Sequence, residues 1–364
     1  MNTKNQRYSP SRREMIKKMM SFSSAAVCAP FVITPSRGVA QKQQRIVVRD
    51  SGGIMSTIYQ DVFYKPFTQS TGIQVIGTVA SVEPAAQIRT MVDTGVLHWD
   101  MAAIGHRSIA LLTADKVYLE PHGLEHDPIV SAIPPKFISP YGIGTNVYST
   151  VLAYRTDIFK KRPPQTWENL WDINKFPGRR GLRKLPFDTV EEALMADGVS
   201  TKNVYPCDLD QAFRSLDRIK PYTSIWWTNA PESEQLLKSG GVDLMPSIVS
   251  RAQAAIDAGA PIAISWDQHI YGCDSWAILK GTPNADACRE FIKFTSDPKR
   301  QALLASYGAI GVTQPDAFKY IDPKRAKLLS THPENLKKGI FIDASYWLNV
   351  QSTVIERFSR WMLS

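Results

Sequence analysis

Apolar positions along this chain recur with two alternating periods. Residues 45–49 read as a short strand ended by Gly52-Gly53, and 54–70 as a helix with Ile58, Val62 and Phe67 on a broadly apolar face. Strands follow over 73–76 and 99–104, with helices over 83–93 and 109–115. A strand–helix order of this kind builds a mainly parallel sheet covered on both faces. A second block repeats the alternation. Residues 148–154 and 182–185 read as strands, a helix capped by Thr166 begins with 167–171, and 190–197 reads as a helix. Helices are predicted over 209–219 and 232–238, the latter stopped by Gly240. Strands follow over 242–245, 262–266 and 276–279, then helices over 284–295 and from Pro298 onward. The pattern is α/β throughout, with no internal repeat and no long flexible linker. The joints between the two blocks are therefore predicted to be strands that act as hinges.

Ahead of these blocks the chain changes character. Ser11-Arg12-Arg13-Glu14-Met15-Ile16-Lys17 has the order of a twin-arginine export signal. A weakly apolar stretch over 19–34 and the small-x-small site Gly38-Val39-Ala40 follow, so residues 1–40 are predicted to be a cleaved signal peptide and the destination the periplasm. The formal charge of +9 changes meaning with this reading. The leader holds seven Lys/Arg and one acid, and the remainder keeps 36 basic and 33 acidic residues, a net of +3. Nucleic-acid binders concentrate charge in a patch or stripe, so none is expected as a partner. After residue 40 no apolar run reaches the roughly 18 residues of a membrane span, and the product should be soluble. The remaining 324 residues exceed the size at which one core usually divides, which points to two lobes. Cys28 falls in the leader, in a poor setting for a lipid anchor. Cys207, Cys273 and Cys288 remain, an odd number whose pairing spacing does not determine.

Catalytic motifs are missing. There is no nucleophile elbow, P-loop or zincin helix, and Gly142-Ile143-Gly144 lacks the third glycine of a dinucleotide loop. His122 and His126 are four apart, but Pro121, Gly123 and Pro128 put them in a loop, not on a metal-binding helix face. No metal and no cofactor is expected, and the chain reads as a non-enzyme. An exported enzyme on the same scaffold is the alternative, and it would need a nucleophile–base pair or a metal trio in a cleft.

Longer motifs carry a family resemblance. Asn146 begins Asn-Val-Tyr-Ser-Thr-Val-Leu-Ala-Tyr-Arg, and Pro164-Gln165-Thr166-Trp167-Glu168-Asn169-Leu170-Trp171-Asp172 follows. Phe176-Pro177-Gly178-Arg179, Asp188-Thr189-Val190-Glu191, Ile225-Trp226-Trp227-Thr228-Asn229 and Lys280-Gly281-Thr282-Pro283-Asn284 complete the set. Together they resemble the spermidine/putrescine-type solute-binding proteins of ABC importers. The resemblance implies a type II periplasmic-binding-protein fold of two lobes that close on a small-molecule solute by hinge bending. By that analogy lobe 1 takes residues 45–150 and 276–325, and lobe 2 takes 151–275 and 326–364. It further implies a monomer that meets an inner-membrane permease, with polyamine transport as the family's theme.

The same analogy nominates ligand residues. Asp188 and Glu191 match paired acids, and Asp274 a third; carboxylates make strong charge-assisted bonds to ammonium groups. Asp188 also stands where it could simply cap the helix over 190–197. Trp227 is a candidate stacking face, with Trp226 pointing the other way. Aromatic walls of polyamine sites are replaced here by Gly52, Ile248 and Gly272, with Tyr271 one place off as a possible substitute. His106, Arg107 and Arg251 stand where a polycation would be repelled, either facing the cleft or lying on the surface. If an arginine faces the cleft, the ligand has a negative end, and an ω-amino acid would join Arg to Asp274.

Overall fold

The computed structural model describes residues 44–80 and 84–364; the predicted export signal and Cys28 lie outside the described residues. Its strands are β1 (Arg45–Asp50), β2 (Gln74–Val79), β3 (Met101–Gly105), β4 (Leu119–Glu120), β5 (Ile138–Ser139) and β6 (Gly142–Arg155). They continue with β7 (Arg180–Arg183), β8 (Thr223–Trp227), β9 (Leu244–Ile248), β10 (Ile262–Leu279) and β11 (Ile340–Phe341). Hydrogen bonding runs in the order β2-β1-β3-β10-β6-β9-β7-β8. The β2-β1-β3 group is parallel, and so is the β9-β7-β8 group. Between them β10 and β6 run antiparallel to each other and to their outer neighbours.

These two long strands are the main departure from the sequence pattern. The predicted strands over 262–266 and 276–279 are the two ends of one 18-residue strand, β10. The strand predicted over 148–154 is the second half of the 14-residue β6. The first half of β6, 142–147, and the middle of β10, 267–275, lie in the sheet without reading as strand. β3 takes its partners from Asp274–Ile278 of β10, whereas β9 takes its own from Thr150–Tyr154 of β6. Each strand thus hydrogen-bonds to one parallel group near one end only.

Each parallel group has an apolar core on both faces, because alternate strand residues point to opposite sides. Met101 and Ala103 of β3 pack with Phe63, Phe67 and Phe291, while Ala102 and Ile104 pack with Ile88, Leu112 and Leu119. In the other group Leu244 packs with Trp167, Leu216 and Trp347, and Met245 with Trp227 and Ala252. The helix Ala344–Leu363 anchors on this second group through Trp347, Val354 and Phe358.

Helix boundaries follow local chemistry. Asn229 caps Ala230–Ser239 by accepting from the Glu232 amide at 3.0 Å, and Gly240 ends it with φ 67°. Asp297 accepts from the Lys299 and Arg300 amides at the start of Pro298–Tyr307. Two helices differ from expectation. The stretch 54–71 contains a π-helical turn at Gln60–Tyr64, and the helix expected at 109–115 spans His106–Thr113, starting directly off β3. That earlier start sets Arg107 in a first helical turn.

The helix Thr189–Ala196 is buried at all eight positions, including two carboxylates. Glu191 Oε1 accepts from the Tyr205 hydroxyl at 2.6 Å and Trp347 Nε1 at 2.8 Å. Burial, and then the charge of Asp188, raises Glu191 to about 7, and the same two causes raise Glu192 well above the usual carboxylate range. The folded protein therefore binds more protons here than the unfolded chain, and stability falls as pH rises from about 4.5 to 7. For Glu191 the loss amounts to roughly 3 kcal/mol. Melting curves between pH 5 and 8 should show this decline, and Glu191→Gln should flatten it; a pH-independent difference between the two proteins would contradict the assignment.

Candidate ligand cleft

The sheet builds a polar cluster where β6 meets β10. Asn146, Tyr148 and Thr150 alternate along β6 and share one face. Opposite them on β10 stand Asp274, Gly272 and Ile270. A Cβ at position 272 would lie 2.4 Å from the Tyr148 hydroxyl, so glycine there makes room for the tyrosine ring. The Tyr148 ring, reaching across from the partner strand, occupies the space over position 272.

Four charged side chains act on the Tyr148 hydroxyl. Burial raises its pKa; Arg107 and Arg183 oppose that rise, while Asp274 and Asp188 reinforce it. Asp274 is half-buried, with Oδ2 accepting from Asn146 Nδ2 at 3.2 Å. Arg107 lays its guanidinium 3.7 Å from the centroid of the Phe187 ring, a stacking geometry suited to this planar cation. Phe187 in turn meets Trp347 edge-on, with centroids 4.8 Å apart. His106 is not a cation at neutral pH, because burial lowers it to about 4; its Nε2 lies 3.2 Å from Ser275 Oγ.

Asp188 occupies the cap position of Thr189–Ala196, yet its side chain makes no capping bond. Its Oδ2 instead accepts from Thr150 Oγ1 at 2.8 Å and from Arg183 at 3.1 Å. This turn toward the sheet goes with a backbone φ of 67°, rare for a residue with a Cβ. Arg183 also covers Trp227, with Cζ 5.5 Å from the ring centroid.

Several nominated residues are placed elsewhere by the fold. Tyr271 does not stand in for position 272. Its strand parity differs from that of Asp274, and it packs in the apolar core with Phe341 while its hydroxyl accepts from Lys136 Nζ at 2.9 Å. Glu191 is fully buried and bonded to Tyr205 and Trp347, so it lies behind Asp188 and not beside it. Trp227 is 1% exposed and sits beneath Arg183, so it offers no open stacking face, while Trp226 packs on Trp361. Gly52 has φ 81°, and a Cβ there would lie 2.8 Å from Val79 Cγ1; it serves the turn after β1. Arg251 is paired with Glu234 of the adjacent helix at 3.1 Å.

Asn146, Tyr148, Thr150, Arg183 and Phe187 were not singled out from the sequence. The first three are masked in the sequence because Thr145 and Ser149 are polar as well, leaving only Val147 apolar between 145 and 150. Cys207, Cys273 and Cys288 are buried free thiols. Among the described residues no His, Cys, Asp or Glu group is arranged to hold a metal, and no helix is long and apolar enough to cross a membrane. The chemistry on offer is recognition. A carboxylate, guanidinium groups and aromatic faces lie along the same part of the sheet.

Comparison with known proteins agrees. Residues 63–327 match the model of the bacterial extracellular solute-binding protein family. A gamma-aminobutyric acid-binding protein of Pseudomonas aeruginosa is 32% identical over 332 residues, covering 88% of this chain and 92% of that protein. An ABC transporter substrate-binding protein from Bradyrhizobium japonicum USDA 110 superposes with a TM-score of 0.83 at 32% identity, covering 88% of this chain and 99% of that one. A GABA receptor gives a TM-score of 0.79 at 28% identity, covering 87% and 97%. The spermidine/putrescine substrate-binding protein of Streptococcus pneumoniae shares the fold, with a TM-score of 0.71, but only 18% of the sequence. The broad family expectation therefore holds, whereas the polyamine type is not supported. The fold is that of periplasmic binding proteins, and the relatives are carriers of solutes, not enzymes. A small-molecule ligand, a membrane permease and a location outside the cytoplasm follow from that class. By its sequence and its fold, the chain belongs to the bacterial extracellular solute-binding protein family, as the substrate-binding component of an ABC transporter.

Proposed function

We propose that this protein captures a short ω-amino acid of the γ-aminobutyrate class and delivers it to an inner-membrane permease. The observation that carries this reading is a guanidinium and a carboxylate set near one tyrosine: Arg107 stacks on Phe187 at 3.7 Å, and Asp274 shares the face of the β6–β10 pair that carries Tyr148. Arg107 receives the carboxylate, Asp274 receives the ammonium group, and the rings of Tyr148 and Phe187 cover the methylenes. Arg183 and Asp188 already neutralise each other at 3.1 Å and frame the site. The names of the Pseudomonas relative and of the GABA receptor favour the same ligand class. A diamine would place a second ammonium group against Arg107, where like charges repel.

In this reading the two parallel groups are lobes, residues 45–150 with 276–325 and residues 151–275 with 326–364. They hinge where β6 and β10 cross between them. The protein works as a monomer in the periplasm, exported by the twin-arginine route with residues 1–40 as its signal.

Titration calorimetry with γ-aminobutyrate, putrescine and spermidine tests the ligand class. The amino acid should bind at least tenfold more tightly than either polyamine. Asp274→Asn should weaken it by roughly 1.5–3 kcal/mol, the range for a hydrogen bond to a charged group, with little change in the melting temperature of the ligand-free protein. Sub-micromolar putrescine binding without a response to the amino acid would overturn the reading.

A further inference from the structure

We propose that Tyr59, buried behind the cleft, is a positioning residue that orients Asn146 and through it holds Asp274 ready for an ammonium group. The inference rests on the reading of Asp274 given above. Tyr59 is 2% exposed and closes the helix Ile54–Tyr59, immediately before the π-helical turn Gln60–Tyr64. In such a widened turn residue i+5 comes back toward the face of residue i, and Tyr59, Phe63 and Tyr64 are all buried together. The Tyr59 ring lies 5.1 Å from Trp276 and 5.6 Å from Phe63, centroid to centroid. It is thus locked by packing, and the one polar atom it carries has a fixed direction.

That atom donates to Asn146 Oδ1 at 2.5 Å, and Asn146 Nδ2 donates to Asp274 Oδ2 at 3.2 Å. An asparagine amide presents an acceptor on one side and donors on the other, and its partners decide which way round it sits. A tyrosine hydroxyl with a buried proton satisfies the oxygen. Burial, then Asp274, raises the Tyr59 pKa well above its ordinary value, so the donor persists through the physiological range. The amide nitrogen is thereby turned to the carboxylate. With the amide reversed, Oδ1 would face Asp274 and two acceptors would oppose each other. Strand pairing fixes the remaining geometry, since Asp274 stands opposite Asn146 on one side and Gly105 on the other. A Cβ on Gly105 would lie 3.8 Å from Asp274 Oδ1, so the carboxylate sits against the β3 backbone at that point.

Tyr59→Phe removes the hydroxyl and keeps the packed ring. The test compares its binding of γ-aminobutyrate by calorimetry with the competitive inhibition constant of butyrate, which lacks the amine. We expect γ-aminobutyrate to weaken roughly three- to tenfold, the scale of one neutral hydrogen bond, while butyrate changes less than about twofold. A merely structural loss would weaken both ligands together and would overturn the proposal. Asp274→Asn separates the two layers of the argument. If it loses affinity while Tyr59→Phe does not, the relay fails and the ligand reading stands; if neither variant changes, both fail.

Discussion

Everything at the cleft depends on the antiparallel pairing of β6 with β10. Among the described residues it is the pairing in the sheet path that joins the two parallel groups. Its register sets Asp274 opposite Asn146 and Tyr148 opposite Gly272. A shift of one residue would turn over the strand that slips and send either Asp274 or Tyr148 into the apolar core now occupied by Val147 and Cys273. The register is held on either side by structure that cannot slip easily. β3 grips Asp274–Ile278, and β9 grips Thr150–Tyr154. An irregularity between Ser265 and Ile270 absorbs the mismatch between the two paired stretches.

On this frame the polar groups form layers of increasing burial. Asp274, Tyr148 and Phe187 are partly accessible. Behind them, Asp188 is held by Thr150 and Arg183, and Asn146 by Tyr59. Deeper still, Glu191 is bonded to Tyr205 and Trp347, and Glu192 lies fully buried beside it. The deep carboxyls are proton-bearing at mildly acidic pH, so they add little negative charge to the cleft there. Of the arginines near these layers, Arg183 pairs with Asp188 and Arg107 stacks on Phe187.

The sequence carried the architecture well and the site in part. Alternating periods gave the α/β class, and capping residues such as Asn229 and Asp297 marked helix starts. Asp274 and Arg107 were nominated through the family resemblance and not from local pattern; the fold sets Asp274 inside β10 and Arg107 in the first turn of His106–Thr113. Tyr271 was misread because parity along a strand is visible only once the strand's true length is known, and β10 is interrupted by polar residues that hide it. Glu191 was misread for a related reason. The i, i+3 spacing with Asp188 puts both on one side of a regular helix, but the φ of 67° at Asp188 turns its side chain away toward Thr150. Tyr148 and Tyr59 were not legible, because their roles arise from partners on other strands. Gly272, which reads locally as a missing wall, is the space that Tyr148 fills.

The central claim is that an oppositely charged pair at the β6–β10 crossing recognises both ends of one small zwitterion. A crystal structure of the protein soaked with γ-aminobutyrate at a few times its dissociation constant tests this most directly. The account predicts the ammonium nitrogen within hydrogen-bonding distance of Asp274, the carboxylate on Arg107, and the methylenes against Tyr148. A ligand seated away from Tyr148, or bound with its carboxylate toward Asp274, would contradict it.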